Sequence, residues 1–109
     1  MMSFAGNEKL WLLRERYRAS ASQIVEGFRG IAVRLAGAPA DDAVLDELRR
    51  ELHRVHGTAG SYGYAAVSEL AAALEERVAG WVADPTLEAG QRATIVTEFA
   101  QCIESAFNS

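Results

Sequence analysis

Residues 44–63 read Val-Leu-Asp-Glu-Leu-Arg-Arg-Glu-Leu-His-Arg-Val-His-Gly-Thr-Ala-Gly-Ser-Tyr-Gly. The apolar members are Val44, Leu45, Leu48, Leu52, Val55 and Ala59. They recur every three or four positions and fall within about 100° of arc on a helical wheel. A strand would alternate instead. This is an amphipathic helix, closed by a Gly/Ser turn at Gly60-Ser61-Tyr62-Gly63-Tyr64.

Beyond that turn, Val67, Leu70, Ala71, Leu74, Val78 and Trp81 form a second stripe. Ile95, Val96, Phe99, Ile103 and Phe107 form a third. Upstream, Leu10, Leu13, Tyr17, Ile24, Phe28, Ile31 and Leu35 keep the same period. Ser20 and Gln23 resemble a capping box, which breaks that run near Ala19. Pro39 and Pro85 mark loops. Asp41 or Asp42 reads as one N-cap, and Asp84 as another with Pro85 at the first helical position. The helices expected are 7–18, 20–36, 41–61, 64–82 and 85–107. Short loops between one-sided helices describe an all-α fold, an antiparallel up-down four-helix bundle with an additional short N-terminal helix.

The chain has 109 residues, enough for one domain over residues 1–109. Half of it is apolar and 24% is charged, an ordinary globular balance. Eleven Lys+Arg against fifteen Asp+Glu give a net charge of −4, so no basic footprint for nucleic acid exists. No apolar run approaches the roughly 18 residues of a membrane span, and no targeting segment is visible. A cytoplasmic, monomeric protein is expected. The single cysteine, Cys102, makes no internal disulfide and reads as a buried or border thiol in phase with Phe99 and Ile103. Trp11 and Trp81 read as packing or rim residues, and Phe4 and Trp11 as packed on the bundle or on a partner. A chain this short builds a core but hardly a deep pocket, which favours a surface that works over an enzyme with its own cavity.

Five residues of the opening stretch lie off the apolar arc. His53 sits about 130° from its centre and faces outward. Arg49 precedes it by one turn, Gly57 follows by one turn, Gly60 continues the strip, and His56 lies at its border. Glycine in an exposed helix interior costs roughly 1 kcal/mol relative to alanine. Either the helix frays toward Tyr62, or the surface beside His53 is kept flat for an approaching backbone. If the two helices fold back about Tyr64, His53, eleven residues before it, meets Glu75, eleven after. A carboxylate accepting from Nδ1–H would fix the imidazole tautomer and leave Nε2 as the outward nucleophile. A solvated Glu75, or one paired with Arg77, is the plainer alternative.

Residues 52–63, with His53, then His56-Gly57, then a small-residue run to Gly63, resemble the motif of histidine-containing phosphotransfer (HPt) domains. The resemblance spans essentially the whole chain. It is most like the phosphoacceptor domain of chemotaxis-type histidine kinases, because Glu75 stands where a glutamate bonds the reactive histidine there. The resemblance implies His53 as phosphoacceptor, Glu75 as its orienting group and Gly57 as the glycine that admits a partner. His56 stands where the family has lysine, which places a titratable ring beside the phosphoryl group. The implied function is histidine phosphotransfer in a two-component phosphorelay, between a receiver-domain aspartate or a kinase ATP-binding domain and another receiver. No kinase activity is implied. Mg²⁺ is expected from the partner domain, and no intrinsic cofactor.

Arg49, Arg50 and Arg54 surround His53 by spacing. They attract a phosphoryl group and an acidic receiver, or they pair with Asp46, Glu47 and Glu51 on a solvated face. The partner-facing set expected is Arg49, Arg54, Gly57 and Gly60. A metal site is not expected, because His-x-x-His on one helix lacks further ligands. The alternative function is a degenerate HPt-like bundle that binds a receiver or kinase domain as inhibitor or scaffold without being phosphorylated.

Overall fold

A computed structural model describes residues 4–109, with side chains from residue 8 onward. The described residues form helices α1 (Phe4–Ala19), α2 (Ala21–Gly37), α3 (Asp42–Ser61), α4 (Ala65–Ala83) and α5 (Arg92–Phe107), and no strand. None of these helices is long and apolar enough to cross a membrane. The all-helical reading holds, and four of the five helices begin and end within three residues of the expected positions.

Most of the stripes read from the sequence are the core, while Leu10 is exposed and Leu13, Tyr17, Ile24, Leu70 and Ile95 are half-buried. Phe28, Ile31 and Leu35 of α2, Leu48, Leu52 and Ala59 of α3, Val67, Ala71, Val78 and Trp81 of α4, and Val96, Ala100, Ile103 and Phe107 of α5 are all buried. Each such Leu, Ile, Val or Phe contributes about 1.5–3 kcal/mol by leaving water. α3 packs chiefly on α4, and α2 on α5. Asp41 caps α3, accepting from the amides of Ala43 (2.9 Å) and Val44 (3.2 Å), a contact worth about 1 kcal/mol. At the far end, Gly63 takes φ +82°, and the amide of Tyr64 donates back to Ala59 O at 2.8 Å. That left-handed glycine turns the chain from α3 into α4.

The break between α1 and α2 falls at Ser20, one residue past the expected Ala19, and no capping box forms there. The Ser20 backbone stays near-helical, and its hydroxyl donates to Arg16 O at 3.3 Å instead. α1 is held to the body by its C-terminal half. The Tyr17 ring meets those of Tyr62, Tyr64 and Phe107, and the Arg14 guanidinium lies over Tyr64. Leu10, Trp11 and Leu12 are more than half exposed, so Trp11 does not pack on the bundle. The Phe4 side chain lies outside the described residues. Cys102 is exposed, one position off the inward line of Phe99 and Ile103.

The start of the last helix is a correction. It was expected at residue 85 and lies at Arg92, after a run of turns. The Asp84 carboxylate does not cap a helix. It accepts from the Thr86 amide (3.0 Å) and hydroxyl (2.7 Å), closing a local turn. Arg92 is fully buried and donates to the carbonyls of Leu87, Trp81, Asp84, Pro85 and, across the fold, Pro39. Those carbonyls converge on the guanidinium only if residues 84–91 are not helical. Glu88 holds the same loop from outside, with φ +55°. Its carboxylate accepts from Arg77 Nε at 2.8 Å and from Trp81 Nε1 at 3.1 Å.

The Arg77 and Trp81 donors push the Glu88 carboxyl down to about 2 from its ordinary 4.5. A carboxylate depressed in the folded state stabilises above its unfolded value and loses that contribution as pH falls. Glu88 therefore supports the fold at neutral pH and stops doing so between about 4.5 and 2. In thermal melts, Glu88→Gln should have a lower Tm than wild type at pH 7, with the difference shrinking toward pH 2. A difference that does not change with pH would remove this role.

Candidate functional site

The register of α3 on α4 builds the site. His53 faces Glu75, and Gly60 faces Ser68, pairs that sit symmetrically about Tyr64. By the same count Arg49 comes opposite Ala79, and His56 opposite Ala72. These four groups, with His53, Glu75 and Glu76, line one surface depression. The two alanines help keep it open, because each raises only a methyl from α4.

His53 projects from α3 with 79% of its side chain exposed. Its Nδ1 lies 3.0 Å from Glu75 Oε2, in hydrogen-bonding geometry. Glu75 itself is only 29% exposed, so its carboxylate is lodged between the helices. An ionised carboxylate only accepts, so a neutral ring bonded to it has its proton on Nδ1 and its lone pair on Nε2. Of the two sequence alternatives for Glu75, the structure holds the contact with His53.

Glu75 has a second neighbour. Its Oε1 lies 3.4 Å from His56 Nδ1. The His56 carbonyl accepts from the Ser68 hydroxyl at 2.8 Å, which ties this turn of α3 to α4. Ser68 was missed in the sequence, although the count that found Glu75 also reaches it.

The arginines divide. Arg50 pairs with Asp46 at 3.2 Å and Arg54 with Glu51 at 3.4 Å, both on the open surface. Arg49 has no carboxylate partner among the described residues. It borders His53 and Glu75 in two adjoining depressions. The glycines divide as well. A Cβ on Gly57 would meet nothing within 4 Å, so no neighbour within the molecule demands glycine. A Cβ on Gly60 would stand 3.2 Å from Ser68 Oγ. Gly60 thus has a packing reason on the α4 side, which the sequence reading did not foresee. Among the described residues no group of three or more His, Cys, Asp or Glu side chains is placed to hold a metal ion.

A carboxylate-held, outward imidazole on α3 is the arrangement the sequence motif implied, and an Hpt domain family model matches residues 12–108. The chain belongs to the Hpt domain family. No curated protein and no solved structure matches it. Hpt domains are phosphocarriers rather than kinases, working by histidine phosphotransfer in phosphorelays with kinases and receiver domains. An Hpt domain needs no cavity for that work. On α3 the His53 ring stands outward, with 79% of its side chain exposed.

Proposed function

We propose that this Hpt domain carries a phosphoryl group on Nε2 of His53, between the aspartate of one receiver domain, or a kinase ATP-binding domain, and another receiver. The observation that carries the reading is the 3.0 Å contact of Glu75 with Nδ1 of a ring that is otherwise exposed. The Nε2 lone pair attacks phosphorus, the N–P bond forms, and the O–P bond to the aspartate breaks. The bonding pair leaves with the aspartate carboxylate. The ring becomes cationic, and its Nδ1–H faces the Glu75 carboxylate, which offsets that charge. Mg²⁺ comes with the receiver or the kinase, and in-line positioning by the two docked surfaces supplies most of the rate. Arg49 meets the phosphoryl group and an acidic receiver pocket, while Gly57 admits the partner backbone. Arg54 and Gly60 flank the docked surface. In this reading α2–α5 form an antiparallel up-down four-helix bundle, with α1 as the additional N-terminal helix.

The test is incubation with a receiver domain charged from a small-molecule phosphodonor. Acid-labile, base-stable label on the Hpt domain, with the ³¹P resonance of Nε2-phosphohistidine, supports the reading. Stable binding to the receiver without label would favour the inhibitor or scaffold alternative.

Gly57 supplies a second test. Alanine there meets nothing within the molecule, and relief of the glycine cost should stabilise the helix by about 0.5–1 kcal/mol. Gly57→Ala should therefore melt higher than wild type and transfer more slowly. A higher Tm with an unchanged transfer rate would remove the docking role.

A further inference from the structure

Two imidazoles share one carboxylate. Glu75 Oε2 holds His53 Nδ1 at 3.0 Å, and Oε1 lies 3.4 Å from His56 Nδ1. The second contact is an ion pair only while His56 is protonated. The rings stand one helical turn apart, about 5–6 Å between Cβ atoms, and line the same depression. A phosphoryl group on His53 would bring up to about two negative charges to the mouth of that depression.

We propose that His56 is the proton-linked counter-charge of the phosphoryl group. The inference rests on the reading of His53 as acceptor. A protonated His56 ring is drawn to the Glu75 carboxylate and, once it arrives, to the phosphoryl group on the same side. By linkage the phosphoryl group favours protonated His56, and the proton favours the phosphorylated state by the same factor. The phosphotransfer equilibrium moves toward the Hpt domain as pH falls.

The charged and titratable groups facing His56 are Arg49 and His53 on α3, and Glu75 and Glu76 on α4. Glu69 lies one turn before Ala72 on α4. Arginine and glutamate side chains in general titrate outside about pH 5 to 8. Arg49 thus adds a constant attraction and no slope. His53 is the other imidazole, and it shares the Glu75 carboxylate with His56.

The experiment measures the phosphorylated fraction at equilibrium with one receiver, across about pH 5 to 8, for wild type, His56→Gln and His56→Lys. Dividing each by the Gln variant cancels the pH dependence of the receiver. The wild-type ratio should rise about three- to tenfold from the alkaline to the acid end, the size of a Coulomb term at this range in a wet site. The Lys ratio should be raised and level. NMR should show the His56 ring staying protonated to higher pH once His53 is phosphorylated. A level wild-type ratio, or a Lys variant with the wild-type slope, overturns the proposal. Absence of label on wild type at every pH would instead overturn the acceptor reading of His53.

Discussion

His53→Gln should leave the protein folded and without label. The substituted side chain is exposed, and exposed substitutions change stability by about 0.5 kcal/mol or less, so Tm and helical content should match wild type. Transfer should fall to background. The glutamine amide nitrogen has its lone pair delocalised into the carbonyl and does not attack phosphorus. It keeps a donor for Glu75, so the site's shape survives while its nucleophile does not. The measurement is radiolabel retained after incubation with a charged receiver, with binding to that receiver measured on the same samples. Equal label on the variant would place the phosphoryl group elsewhere. His56, on the same carboxylate, would then be the first position to examine.

Arg92→Met should cost about 3–5 kcal/mol, against a total stability of roughly 5–15 kcal/mol for a domain. Methionine fills the volume of the side-chain stem and removes every donor. The carbonyls of Trp81, Leu87, Asp84, Pro85 and Pro39 then lose a common partner. Water reaches the outer ones, and the inner ones bear the desolvation cost of an unmade bond. The guanidinium also stacks on Trp81, 5.3 Å from its ring centroid. The Thr86 hydroxyl and the Arg77 guanidinium chiefly hold down the Asp84 and Glu88 carboxyls, and the Arg92 charge adds a smaller part. Arg92→Lys keeps the charge but offers a point donor where five carbonyls surround a planar fork, and should lie between. Urea unfolding measures both. A loss below about 1 kcal/mol for Arg92→Met would mean that water replaces the guanidinium. Variant protein that remains folded should still transfer, because the loop and His53 share no residue.

The core and the centre of the site were legible because both follow from one regularity. The helical period places Leu48, Leu52 and Trp81 inward, and the same period with a turn at Tyr64 brings Glu75 to His53. Contacts off that lattice were not legible. Asp84-Pro85 has the chemistry of a helix start, yet the carboxylate is taken by Thr86. Nothing local says so, because what decides is a guanidinium seven residues later. Arg92, an arginine at a helix start, carries no mark of burial in the sequence. Gly60 looked like one more clearing beside His53, while its missing Cβ points at Ser68. A wheel drawn for α3 alone does not show α4.

The guanidinium knot also decides where the molecule breathes. Loops are ordinarily the first part of a domain to open, and helix interiors the last. Here residues 84–91 hang from a buried cation, so their backbone opens only when the α4–α5 packing opens. The opposite end is closed by tyrosine rings that water still reaches. Hydrogen exchange should therefore be slower in residues 84–91 than in the turn at Tyr62–Tyr64.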